Sequence, residues 1–340
     1  MFGVARCSLR GNLSPRTWPC RTGRLVADDR KGDAIADHGR AAAEAVTDRA
    51  PSMIARMSRH EFLAELHRRL QPRTYLEIGV KDGRSLALAE APSIGVDPRA
   101  RITVPIAGDA QVVKATSDAF FGRRDPLAHF RQRRSVRDGL SQRLSQLVAR
   151  EPAAASEGTG VATPTVDLAF IDGMHLVEFA LRDFMNIERF TLPTSVIVFD
   201  DVLPRSIVEA ARDRTTKFWA GDVFKMQAIL STYRPDLVAI PVNTAPTGLL
   251  VVLRPDARND ELREHYDAIV AGAIRPDPQA VPEAILGRDD AVAPNGILAS
   301  GIWSALVAAR ASDGASPDLE FALRSLDALV RGGHSEPADR

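Results

Sequence analysis

Short apolar runs alternate with amphipathic stretches through the middle of the chain. Continuous apolar runs are typical of strands buried on both faces, and they predict strands at 74–79, 93–97, 111–116, 166–171, 194–200, 237–241 and 248–253. Helices are predicted from Ser58, where a capping box begins, and over 83–90, 176–190 and 204–214. Strands and helices alternating at this spacing favour an α/β fold with a doubly wound, mostly parallel sheet.

Three segments lie outside this alternation. Residues 1–55 mix Arg, Gly, Pro and Asp without periodicity and predict a poorly ordered N-terminal tail. About 50 residues separate the third and fourth strands, although a crossover needs only about a dozen, so an arginine-rich insertion is expected at about 122–165. Helix-like patches at 259–271, 298–310 and 317–331 predict a helical C-terminal extension over 256–340. The principal domain is therefore expected to span 58–255.

Composition narrows the class of partner. The 340 residues are 45% hydrophobic and 26% charged, with a formal net charge of +0, so no global field attracts nucleic acid or a membrane surface. No apolar run approaches membrane-spanning length. Cys7 and Cys20 both fall in the N-terminal tail and offer the core no disulfide or cysteine metal site. We expect a cytoplasmic protein with a small-molecule partner, and a homo-oligomer is compatible with these features.

The first chemically informative motif is a glycine turn between a strand and a helix. Glu77, Gly79 and Gly83 form an E-x-G-x-x-x-G pattern, and Asp97 closes the next strand 20 residues after Glu77. That offset suits a carboxylate that binds a ribose diol. Dinucleotide sites use G-x-G-x-x-G, whereas Lys81 stands here where a second glycine would be. The pattern therefore predicts a nucleotide-type cofactor other than NAD, with an ordinary strand-to-helix turn as the alternative.

The second motif is a set of aspartates that follow two apolar strands. Asp172 ends one run, and Asp200 with Asp201 ends the next. Parallel strands place these ends at one edge of the sheet, where the carboxylates would repel one another unless a cation lay between them. Mg²⁺ would meet that need, and solvated turn acids are the alternative. Adjacent strand residues face opposite ways, so Asp200 and Asp201 can share a metal only if the strand has already ended.

In this order the two motifs resemble class I S-adenosylmethionine-dependent methyltransferases. The Ile-Asp-Gly-x-His pattern followed by Phe-Asp-Asp is similar to a subgroup that contains metal-dependent O-methyltransferases of sugars and natural products. The resemblance implies a Rossmann-like sheet that ends in an antiparallel hairpin. Carried over to this chain, it assigns the cofactor to Glu77, Gly79, Gly83, Asp97, Ser117 and Asp118, and Mg²⁺ to Asp172, Asp200 and Asp201.

His175 completes the expected chemistry. It lies three residues after Asp172, and a side chain with a pKa near neutrality can accept the proton of an attacking hydroxyl. The alternative is that His175 caps a helix or hydrogen-bonds an aspartate. The segment 218–225 is interpreted as a helix start with its own N-cap, and its aromatic side chains either pack that helix or line the acceptor pocket.

The resulting hypothesis is Mg²⁺-assisted O-methylation of a small hydroxylated acceptor, such as a sugar or a secondary metabolite. Asp172 and His175 are the candidate catalytic residues. A metal-independent methyltransferase, an RNA or protein methyltransferase and a non-catalytic cofactor-binding or assembly protein are the alternatives.

Overall fold

A seven-stranded sheet forms the centre of the protein in a computed structural model that describes residues 57–131, 164–312 and 317–332. Its strands run in the order β3-β2-β1-β4-β5-β7-β6. The first five strands are parallel, and β7 pairs antiparallel with both β5 and β6. The strands are β1 Tyr75–Ile78, β2 Ser93–Val96, β3 Ala110–Val113, β4 Leu168–Ile171, β5 Val196–Asp200, β6 Val238–Val242 and β7 Leu249–Leu253.

This topology confirms the predicted Rossmann-like, doubly wound sheet with a C-terminal antiparallel hairpin. The N-terminal tail with Cys7 and Cys20 lies outside the described residues, as does most of the arginine-rich insertion. The predicted domain limits therefore stay a prediction.

Helices cover both faces of the sheet. None of the helices within the described ranges has the length and apolar character that crossing a membrane requires. A single 3-10 turn lies at Leu86–Leu88. The α-helices are α1 Arg59–Leu70, α2 Ser117–Phe121, α3 Val177–Glu188, α4 Lys225–Tyr233, α5 Glu261–Glu264, α6 Tyr266–Ala273, α7 Glu283–Gly287, α8 Pro294–Ala299, α9 Ile302–Ala311 and α10 Pro317–Gly332.

Two predicted helices are wrong. At 83–90 the chain forms only the 3-10 turn, because Gly83 has a φ of 88° and Pro92 disfavours helical backbone in the residue before it. At 204–214 the backbone runs through turns. The carbonyl of Glu209 accepts hydrogen bonds from the N–H groups of Ala220 and Gly221, so it is paired with the next loop and not with the N–H four residues further along a helix.

Apolar strand residues alternate between two cores, one on each face of the sheet. In β5, Ile197 and Phe199 face a core shared with α3 and α4. Val196 and Val198 face the opposite core, where α1 packs with α8, α9 and α10. The C-terminal helices therefore supply much of the layer that covers one face, and we expect their removal to expose that face of the sheet.

The start of α1 is tied to the turn between β6 and β7. The N–H of Arg59 donates to the carbonyl of Ala245 at 3.1 Å, and the N–H of Ala245 donates to the carbonyl of Met57 at 2.9 Å. A capping box fixes the same helix end, because Ser58 Oγ accepts from the Glu61 N–H while the Glu61 carboxylate accepts from the Ser58 N–H. Since β6 runs parallel to β5, this turn lies at the carboxyl edge of the sheet.

A buried arginine at the end of α4 provides a test of the packing. The Arg234 side chain has no exposed surface and donates to both oxygens of Glu188 at 2.8 Å. Replacing Arg234 with Met leaves Glu188 buried without its partner, so we expect the free energy of unfolding to fall by about 3–5 kcal/mol. Chemical denaturation measures this loss.

The matched control is Arg68→Gln, which removes an exposed ion pair with Glu65 on α1. It is expected to change the free energy of unfolding by less than about 1 kcal/mol. Equal losses of unfolding free energy in the two variants would show that the buried pair stabilises the protein no more than the exposed pair does.

Candidate active site

The turn after β1 requires unusual backbone conformations. Gly79, Lys81 and Gly83 all have positive φ, at 93°, 51° and 88°. A Cβ on Gly79 would lie 1.9 Å from the carbonyl oxygen of Asp172, so only glycine allows this turn to meet the loop after β4. Lys81 departs from the usual glycine yet adopts the left-handed conformation, at a cost of roughly 1 kcal/mol.

Asp97 holds this turn from the end of β2. Its Oδ2 accepts a hydrogen bond from the Lys81 N–H at 2.7 Å, and its Oδ1 accepts one from the Arg99 N–H at 2.6 Å. The side chain stays partly exposed, and each carboxylate oxygen can accept a second hydrogen bond. The same carboxylate can therefore hold the turn and accept from the hydroxyls of a ligand.

Glu77 lies beneath the turn instead of at its surface. The residue is fully buried, and its carboxylate accepts hydrogen bonds from the Tyr75 hydroxyl at 2.8 Å and the Ser85 hydroxyl at 2.6 Å. Burial raises the pKa of Glu77 to about 8, against the opposing effect of the two hydroxyl hydrogen bonds. In this structure Glu77 positions the residues around the glycine turn and presents no surface to a ligand.

Ser117 and Asp118 lie at the start of the short helix α2, after β3. Asp118 is paired with Arg182 at 3.0 Å and remains half-exposed. Asp183 lies next to this group and was not predicted as a site residue. Burial raises its pKa to about 7, and a hydrogen bond with Ser117 opposes that shift. The available signal was an acid among the apolar positions of an amphipathic helix.

Arg59 lies between two of the predicted metal ligands. Its Nη1 is 3.3 Å from Asp172 Oδ2 and makes a direct ion pair with Asp200 Oδ2. The other oxygen of Asp200 is buried and accepts no hydrogen bond from the described residues. Sequence reasoning missed Arg59, although the capping box at Ser58 identified the helix that it begins.

Asp201 faces a different partner from Asp200. The strand ends at Asp200, and Asp201 has a φ of 63°, which turns its side chain toward His175 and Thr247. Asp201 Oδ2 is 2.9 Å from His175 Nδ1, and its Oδ1 accepts from the Thr247 hydroxyl at 2.5 Å.

His175 links two of the aspartates. Its Nε2 lies 3.1 Å from Asp172 Oδ1, while Nδ1 faces Asp201. Burial lowers the pKa of His175, but the carboxylates of Asp201 and Asp172 outweigh that effect and raise it to about 10. Ligand atoms of Asp172, His175 and Asp201 all lie within 4.8 Å of one another, close enough to hold a metal ion.

The segment 218–225 packs against the imidazole ring of His175. The Trp219 ring stacks on the imidazole with centroids 5.1 Å apart and planes within 6°. The N-cap expected for α4 is absent, since no side chain accepts a hydrogen bond from the first N–H groups of this helix. The Asp222 carboxylate accepts instead from the N–H of Val177 at 2.8 Å and so holds the start of α3.

Residues 76–202 match a family model described as a methyltransferase domain. The matched segment runs from β1 to just beyond β5 and includes the glycine turn, Asp97, Asp172 and both aspartates after β5. The predicted resemblance to class I S-adenosylmethionine-dependent methyltransferases is confirmed over this segment.

Among solved structures, the chain is similar to cofactor-bound Rv0187 from MTB, at 16% identity and a TM-score of 0.38 over 61% of this chain and 84% of that one. It is similar to the O-methyltransferase TomG from Streptomyces achromogenes, at 17% identity and a TM-score of 0.31 over 57% and 78%. An O-methyltransferase from Bacillus cereus matches at 16% identity and a TM-score of 0.30 over 57% and 80%. No curated protein matches the chain. Similarity this low carries neither substrate nor metal over to this protein.

The buried carboxyl of Glu77 predicts a specific pH dependence of stability. Its pKa is about 8 in the folded protein against a usual value of 4.5, so the folded state binds more protons between these values. The free energy of unfolding contributed by Glu77 must therefore fall as pH rises from about 5 to 8. Glu77→Gln cannot titrate, so its stability relative to wild type should rise over this range in chemical denaturation at several pH values.

Glu65→Gln, which alters an exposed glutamate on α1, is the matched control and should leave the pH dependence of wild type unchanged. Parallel stability curves for wild type and Glu77→Gln would show that Glu77 is ionised in the folded protein throughout.

Proposed function

We propose that this protein transfers a methyl group from S-adenosylmethionine to a hydroxyl group of a small molecule. The family match supports methyl transfer as the class of reaction. The observation that carries the choice of cofactor is the Asp97 carboxylate, which lies partly exposed beside a glycine turn of three positive-φ residues. A carboxylate with free acceptor capacity at the end of the second strand suits the ribose diol of a nucleoside.

The residues present fit this cofactor in different ways. Asp97 would accept from the ribose hydroxyls, and the backbone of Gly79 and Gly83 would border the methionine end. Ser117 and Asp118 would lie near the adenine, at the end of β3. Glu77 would act indirectly, through Ser85 and the turn, because it is fully buried. When bound, S-adenosylmethionine supplies a sulfonium-activated methyl group.

Asp172 and His175 are the proposed catalytic residues. An alcohol is a poor nucleophile while it is protonated, so a base near the acceptor hydroxyl would assist the transfer. His175 Nε2 and Asp172 Oδ1 are 3.1 Å apart, and Trp219 fixes the imidazole from its other face. Because the pKa of His175 is raised to about 10, its imidazole is protonated at neutral pH. In this proposal the imidazolium of His175 holds Asp172 in place, and the Asp172 carboxylate orients the hydroxyl and receives its proton.

Exposed apolar side chains that are close to His175 and Asp201 in the sequence favour an acceptor with an apolar body. Met174 and Phe218 are each 54% exposed and adjoin His175 and Trp219 respectively. Ile207 and Val208, also exposed, follow Asp201 in the chain. The Arg205 guanidinium lies 5.0 Å from the centre of the Phe218 ring and so connects these two segments. A hydroxylated aromatic or aliphatic metabolite would suit these exposed apolar side chains better than a free sugar.

The predicted Mg²⁺ does not fit the aspartates as the structure arranges them. Asp172 and Asp200 already face the guanidinium of Arg59, and Asp201 faces His175. The one group of described side chains close enough to hold a metal includes an imidazole, whereas Mg²⁺ prefers oxygen ligands. We therefore assign no catalytic step to Mg²⁺, and the metal-independent alternative is favoured.

Calorimetric titration with S-adenosylmethionine and S-adenosylhomocysteine tests the proposal. Wild type should bind both compounds. Asp97→Asn keeps an oxygen that can accept from the Lys81 N–H but removes the charge, so it should weaken binding by roughly tenfold or more, as expected when charge-assisted hydrogen bonds are lost. Mass spectrometry of hydroxylated acceptors incubated with enzyme and cofactor then tests for the gain of a methyl group.

The matched control is Asp82→Asn, which removes a carboxylate from the same glycine turn, where Asp82 pairs with Arg84. It should bind the cofactor within about twofold of wild type, since an exposed ion pair contributes little. Absence of binding by folded wild type would contradict the proposal.

A further inference from the structure

We infer that the guanidinium of Arg59 is the built-in cation of the acceptor site, lying between Asp172 and Asp200 where a divalent metal would otherwise bind. The role of Arg59 in catalysis rests on the proposed function. The ion pairs that Arg59 makes with the two aspartates do not depend on that function.

The first support is the position of the charge. Arg59 Nη1 contacts Asp200 Oδ2 directly and lies 3.3 Å from Asp172 Oδ2. These carboxylates end neighbouring parallel strands, β4 and β5. One nitrogen therefore contacts both acids, which is the position that a bridging metal ion would need. The Asp200 side chain is almost completely buried, so an unpaired charge there would be strongly unfavourable.

The second support is the rigid attachment of Arg59. The backbone N–H of Arg59 donates a hydrogen bond to the carbonyl of Ala245 in the β6–β7 turn, and the carbonyl of Met57 accepts one from the N–H of Ala245. The capping box of α1 fixes the next turn of backbone. The backbone of Arg59 is therefore anchored at the carboxyl edge of the sheet, beside the two aspartates. Only 21% of the Arg59 side chain is exposed.

The third support is the arrangement of the remaining acid. Asp201 is directed away from Asp200 by its left-handed backbone and meets His175 and Thr247. A metal at the predicted position would have to displace Arg59 from two carboxylates and would lie close to a fixed positive charge. Like charges at such distances repel strongly in a partly buried site.

In the proposed reaction Arg59 is a positioning residue. It holds Asp172 and Asp200 at one edge of the sheet without a metal, and it leaves the second face of Asp172 to His175. The acceptor hydroxyl would then be oriented by protein groups alone.

Titration with Mn²⁺, followed by electron paramagnetic resonance of the free ion, tests the inference directly. Wild type should show no stoichiometric site that depends on Asp200. Arg59→Gln removes the cation and leaves the aspartates, so it should bind Mn²⁺ at one site, more tightly than wild type by roughly tenfold to a hundredfold. The double variant Arg59→Gln, Asp200→Asn should lose the gained site, and Arg59→Lys should stay close to wild type.

Arg68→Gln is the matched control, because it removes an arginine from the exposed surface of the same helix. It should bind Mn²⁺ no better than wild type. A tight stoichiometric Mn²⁺ site in wild type that is lost in Asp200→Asn would overturn the inference, whether or not Arg59→Gln folds. A folded Arg59→Gln protein that gains no site would overturn it as well.

Titration of the same proteins with S-adenosylmethionine separates this inference from the proposed function. Wild type that binds the cofactor and also binds Mn²⁺ tightly at a site that depends on Asp200 would refute only the role of Arg59. Wild type that binds neither would refute the cofactor and leave the role of Arg59 intact.

Discussion

The need to neutralise carboxylates at one edge of a parallel sheet is the constraint on which the rest of the site depends. β4 and β5 bring Asp172, Asp200 and Asp201 together because parallel strands end at the same edge. Burial makes their mutual repulsion expensive. Arg59 neutralises the first two and His175 contacts the first and the third, so α1 and the loop after β4 become parts of the site.

A second constraint is the close approach of the turns after β1 and β4. Gly79 lies so near the carbonyl of Asp172 that no side chain fits between them. Asp97 holds the first turn through the amide of Lys81, and Glu77 holds it from beneath through Ser85. The proposed cofactor residues and the proposed catalytic residues are therefore mechanically connected, and a change in one turn must be accommodated by the other.

Most of the strands were predictable because they are short, largely apolar runs, and the capping box at Ser58 identified α1 from local sequence alone. Helix 83–90 was wrong because Gly83 and Pro92 outweigh the apolar pattern between them. The position of Asp97 beside the glycine turn was predictable from its spacing, and its contact with a cofactor stays a prediction. The role of Arg59 was not, because its ion pair with Asp200 joins residues 141 positions apart and depends on how α1 is anchored to the β6–β7 turn.

The family match ends at residue 202 and begins at residue 76, and the groups that complete the aspartate cluster lie on both sides of it. Arg59 precedes the segment, while Trp219, Ala245 and Thr247 follow it. The matched segment itself contains the glycine turn and the three aspartates. The guanidinium that pairs with Asp172 and Asp200 comes from α1, before the matched segment, so the pairing of these two acids depends on a residue outside the part of the chain that matches the family model.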